Sequence, residues 1–86
     1  MELEFTDAGR YEFLALDKQL KTFFKKHAEK LLAMPPRRHL RGRNPFFVEN
    51  VTLQARLVYF VEGDKLTVHH CFAAHKDYEA WYTSFK

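Results

Sequence analysis

Apolar and polar positions alternate most regularly between residues 55 and 75, on both sides of a turn. On the first arm Ala55, Leu57, Tyr59 and Val61 fall on one face, and Arg56, Val58 and Phe60 on the other, because side chains of an extended chain alternate sides. Both faces are mostly apolar, as in a central strand. Glu62-Gly63-Asp64 supplies the turn, with Gly63 able to take the positive φ that tight hairpin loops demand. On the return arm Leu66, Val68, His70 and Phe72 alternate with Lys65, Thr67, His69 and Cys71. Simple alternation puts His69 and His70 on opposite faces, so that spacing alone does not bring them to one metal; His69 reaches toward the polar site and His70 packs. An arginine at position 56 needs somewhere polar to point.

The rest of the chain divides by period. Glu2–Phe5 reads as an edge strand with Leu3 and Phe5 inward, and Thr6-Asp7 as a helix N-cap. A first helix is expected over 8–16, with Tyr11, Phe13, Leu14 and Leu16 on its apolar side. Asp17 caps a second helix over 18–34, where Leu20, Phe23, Phe24, His27 and Leu31 form one stripe. His27 on that stripe reads as packed or at its rim. Pro35-Pro36 stops the helix. A strand is expected over 46–51, and a helix over 76–82 with Tyr78, Trp81, Tyr82 and Phe85 on its apolar side. The order β-α-α-β-β-β-α gives an α+β fold: an N-terminal strand, a helical hairpin over one sheet face, an antiparallel three-stranded meander and a short C-terminal helix.

Eighty-six residues make one domain spanning 1–86, and 47% hydrophobic content excludes a disordered chain. The single cysteine, Cys71, excludes an intrachain disulfide and a multi-cysteine metal site, and reads as a small buried hydrophobe. No stretch is apolar enough to cross a bilayer, and a cytoplasmic, membrane-free protein is expected. Charge is segregated. Residues 18–43 carry Lys18, Lys21, Lys25, Lys26, Lys30, Arg37, Arg38, Arg41 and Arg43 against one acid, Glu29. Such a local excess suits a phosphate backbone, while a solvated helix face accounts equally well for the lysines. Four arginines within 37–43 are the stronger signal, with Lys25 counted beside them as a contact for nucleic acid.

Taken together, LLAMPPR, HLRGRNP, ARLVYFVEGDKL and HKDY, in this order after a short strand and a helical hairpin, resemble the RelE/ParE superfamily of bacterial and archaeal toxins. The strand arginine and Tyr59 fit the superfamily's Arg-x-x-Tyr pattern, and His75 with Tyr78 is similar to the His-x-x-Tyr of its HigB-type branch. The resemblance implies a toxin of a type II toxin-antitoxin system: a metal-independent, cofactor-free endoribonuclease that cuts mRNA, often on the ribosome. It also implies a cognate antitoxin protein, the chain being a monomer or an antitoxin-bound heteromer.

Cutting RNA through its own 2′-hydroxyl asks for a base on that hydroxyl, a cation on the crowded phosphate and an acid for the departing 5′-oxygen. By resemblance Arg56 holds the phosphate through its guanidinium fork, His75 serves as acid or base, and Lys76 adds a nearby cation. Tyr78 and Tyr82 stack on a base or orient the phosphate, and Arg37, Arg38, Arg41, Arg43 and Lys25 grip the RNA. One departure stands out. Where the best-studied ribosome-dependent members carry lysines after the basic loop, this chain reads Phe46-Phe47-Val48-Glu49, which leaves Glu49 as a candidate carboxylate base. The alternative is a binding module of the same fold that inhibits gyrase, as ParE-like members do, or holds RNA without cutting it.

Overall fold

A computed structural model describes residues 2–33 and 45–84. Elements follow the expected order: β1 (Glu2–Phe5), α1 (Asp7–Ala15), α2 (Lys18–Ala33), β2 (Phe47–Asn50), β3 (Arg56–Glu62), β4 (Lys65–Phe72) and α3 (His75–Thr83). The arginines at 37, 38, 41 and 43, the Pro35-Pro36 stop and Phe85 lie outside the described residues.

The four strands form one sheet in the order β1-β4-β3-β2. β2, β3 and β4 are the antiparallel meander, with β3 central, and β1 joins the far edge parallel to β4. At the β3–β4 turn Gly63 takes φ 58°, the positive value that a tight two-residue loop needs at its first position.

Caps set the helical hairpin. The Thr6 hydroxyl accepts the Gly9 amide (3.0 Å) and donates to the β4 carbonyls, while the Asp17 carboxylate accepts the Leu20 amide (2.8 Å). Gly9 lets α1 lie directly on β4, since a Cβ there would sit 2.4 Å from the Val68 carbonyl oxygen. That contact fixes the rotation of α1 and corrects its expected apolar side. Phe13 and Leu16 face inward with Gly9, whereas Tyr11 and Leu14 are 76% and 61% exposed. A residue with no side chain is invisible to a count of apolar spacing, which explains the miss.

The main core lies between α2 and one sheet face. Phe24, Ala28 and Leu31 pack on Leu57, Tyr59, Leu66, Val68 and Cys71. Burial pushes the Tyr59 phenol up to about 12, helped by the charge of Glu49, and pushes the Cys71 thiol up to about 12 as well, so both are neutral core residues. On the opposite face Val48 and Val58 are buried, and α3 brings its aromatic side there. No helix among the described residues is long and apolar enough to cross a membrane.

Candidate functional site

Strand alternation turns Arg56 away from the α2 core, onto the face that α3 covers. Its guanidinium folds back over the turn between β2 and β3. Nη1 donates to the carbonyls of Thr52 (3.1 Å), Leu53 (3.1 Å) and Ala55 (3.0 Å), and that turn is itself closed by the Thr52 hydroxyl accepting the Ala55 amide. Nε and Nη2 bond no described residue, and no described carboxylate pairs with Arg56. A half-buried guanidinium held by one nitrogen, with no described carboxylate beside it, has the donors to take an anion.

Register brings the end of β4 alongside. Arg56 pairs with Phe72, whose ring meets Tyr78 (centroids 6.2 Å) and Trp81 (5.9 Å). Tyr78 in turn touches His75 (5.8 Å) and stacks on Tyr82 (6.0 Å, 14° between planes). His75 opens α3, and its Nδ1 lies 3.0 Å from the Glu79 carboxylate one turn on. With Nδ1 donating to that carboxylate, the neutral imidazole carries its lone pair on Nε2, the arrangement a proton acceptor requires. Lys76 is exposed on the same first turn. Arg56 is thus linked through its register partner Phe72 to Tyr78, and Tyr78 to His75 and Tyr82, with Lys76 on the same first turn of α3 as His75.

The two histidines of β4 correct the simple alternation. Pairing passes from Val58↔His70 to Tyr59↔Val68, so His69 is the extra residue of a β-bulge. Both rings now lie on the α3 face, 4.4 Å apart, with Trp81 against each. His69 stacks on Phe46 (4.8 Å, 10°), and its Nδ1 is buried without a hydrogen bond. Burial lowers its pKa, with the neighbouring His70 adding to the shift against the opposing charge of Glu12. His70 instead reaches round the sheet edge to the Glu12 carboxylate (3.0 Å). That carboxylate also accepts the Cys71 amide (2.8 Å), so Glu12 closes the β4 edge where β1 has ended. Sequence reading missed Glu12; the step from Val68 to Cys71 as core residues, three apart where two was expected, was the available sign of the bulge. Despite this gathering, no group of three or more His, Cys, Asp or Glu able to hold a metal occurs among the described residues.

Glu49 and Lys25 are not part of this site. Glu49 pairs across the sheet with Leu57 and so points to the α2 side, opposite Arg56. His27 Nδ1 and Lys30 Nζ each lie 2.7 Å from its Oε2. Burial pushes its pKa up, yet the hydrogen bonds and charges of Lys30 and His27 outweigh this, and the net value falls below that of an ordinary carboxylate. A carboxylate so held takes up a proton less readily than a free one, and Glu49 clasps α2 to β2 on the face opposite Arg56. Lys25 projects from α2 on that same far side, at the rim of a cavity walled by β1, α1 and α2.

No family model matches the chain, and no curated protein matches it in sequence. Solved structures do. The isolated E. coli RelE toxin superposes with a TM-score of 0.76 at 21% identity, covering 99% of this chain and 98% of that one. The E. coli RelBE toxin-antitoxin complex gives 0.76 at 23%, covering 85% and 95%. A YoeB/ParE toxin from Agrobacterium tumefaciens gives 0.70 at 18%, covering 83% and 95%. The chain thus has the RelE-like toxin fold, as its motif order led us to expect.

Proposed function

We propose that the chain is the toxin of a toxin-antitoxin pair and cleaves mRNA, on the ribosome and in the cytoplasm, without a metal or cofactor. The observation that carries the reading is Arg56: a strand arginine with two guanidinium nitrogens that bond no described residue, paired in register with Phe72, on which Tyr78 packs from the first α3 turn that carries His75 and Lys76. The likeness to the E. coli RelBE complex supports an antitoxin partner.

In this reading Arg56 takes the scissile phosphate on Nη2 and Nε and offsets the charge that builds as five oxygens crowd the phosphorus. His75 Nε2 removes the proton of the ribose 2′-hydroxyl. The 2′-oxygen bonds to phosphorus and the bond to the 5′-oxygen breaks, leaving a 2′,3′-cyclic phosphate. Lys76 donates the proton that the departing 5′-oxygen needs. Tyr78 and Tyr82 present aromatic faces to the unstacked bases on either side. Arg37, Arg38, Arg41 and Arg43 are assigned to the flanking phosphates, which makes affinity fall steeply with salt.

The clasped Glu49 favours a second reading, in which the same surface binds RNA or a protein target without cutting, since it withdraws the carboxylate named as a candidate base. Incubating the purified chain with ribosomes and end-labelled mRNA separates the two. Fragments ending in a cyclic phosphate, lost in His75→Ala, support cleavage; bound but intact RNA supports the second reading.

A further inference from the structure

Lys25 leads to a different surface. It stands at the rim of a cavity of about 340 Å³ beneath the helical hairpin, on the side of the sheet away from Arg56. The floor is Ala28, Leu57 and Val68, all nearly inaccessible, and the mouth is formed by Leu3, Phe13 and Lys25. Native interiors are close-packed, with few voids larger than a water molecule. A hydrocarbon-lined cavity of about 150 Å³ takes up apolar guests, and this one, open to solvent at its mouth, offers more than twice that volume. Apart from Lys25 the lining carries no charge, because burial holds the Cys71 thiol neutral. Lys25 itself makes no ion pair with a described residue.

We infer that this cavity binds a single-chain amphiphile with an anionic head, of the class of a medium-chain alkyl carboxylate, its chain on Leu57 and Val68 and its carboxylate on Lys25. The volume accommodates roughly ten methylene groups if each occupies about the 30 Å³ of a liquid water. Apolar burial supplies the affinity, and the lysine selects the head group. The site does not depend on the nucleolytic reading and would stand if that reading failed.

The experiment compares decanoate, decanol and decyltrimethylammonium, each below its micelle concentration, by thermal unfolding and by amide shifts in NMR. Decanoate is expected to bind one to one, raise Tm by about 6–11 °C at tenfold excess over Kd, and shift the amides of Leu3, Phe13 and Ala28. Lys25→Ala should weaken decanoate about three- to fivefold and leave decanol unchanged, as suits an exposed ion pair. Ala28→Leu, which narrows the floor, should weaken both. Should that variant not fold, Lys25→Glu tests the same point by reversing the preference toward decyltrimethylammonium. The inference is overturned by absence of saturable binding, by shifts confined to the Phe46–Trp81 face, by equal affinity for all three head groups, or by a cavity that accepts only a side chain of a bound protein.

Discussion

The two faces of the sheet are built for different ends. Under α2 the packing is aliphatic and aromatic, Phe24 and Tyr59 are about 1% exposed, and the Glu49 carboxylate at its margin is tied to His27 and Lys30. Under α3 no helix residue is fully buried, and contacts are made by rings: Trp81 against Phe46, His69, His70 and Phe72. Arg56 opens onto the second face with two of its three nitrogens bonding no described residue. Close packing around Phe24 and Tyr59 and the tied Glu49 make the first face, outside the cavity at Lys25, a source of stability, while the second is built from rings and carries the Arg56 guanidinium.

The largest expected effect separates the faces by stability. Phe24→Ala should cost about 3–5 kcal/mol, enough to unfold a domain of this size, while Trp81→Ala should cost roughly 1–2 kcal/mol because α3 is only half-buried. Chemical denaturation measures both, and equal losses would erase the distinction. Next comes the sheet edge. Glu12→Ala leaves the Cys71 amide without its acceptor and should cost about 1–3 kcal/mol, with faster amide exchange at Cys71 as the local sign.

Two smaller effects depend on pH. The folded pKa of Glu49 is depressed, so its contribution is present above about pH 4.5 and disappears as pH falls through the folded value. Glu49→Gln should therefore cost about 1 kcal/mol at pH 7, discounted for the half-exposed Lys30, and converge with the parent in acid. The lowered pKa of His69 has the mirror cause, a neutral ring that burial keeps from charging. Its unfolded form takes a proton first as pH drops below 6.5, so stability falls with pH in that window. His69→Phe, which preserves the stack on Phe46, should flatten the Tm profile between pH 7.5 and 5.5.

Much of this was legible in the pattern of the chain. Alternation located β3 and β4, Thr6 and Asp17 marked both helix starts, and the motif order pointed to the fold. What escaped was set by contacts between distant segments. The close approach at Gly9 turned Tyr11 and Leu14 outward, and the bulge at His69 reversed the side on which His70 and Phe72 lie. Glu49 was assigned to the site by its place after the basic loop, yet one residue of strand phase carries it to the other face. Arg56 and His75 are named by resemblance rather than by pattern; strand phase then carries Arg56 to the face opposite Glu49.

The most direct measurement is mRNA cleavage by Arg56→Ala and Glu49→Gln beside the parent chain, with ribosomes present and folding checked for each. Loss of about 100-fold or more in Arg56→Ala, with Glu49→Gln within a few fold of the parent, is the expected result. A fully active Arg56→Ala, or a Glu49→Gln that folds normally but no longer cuts, would contradict the assignment of chemistry to the α3 face.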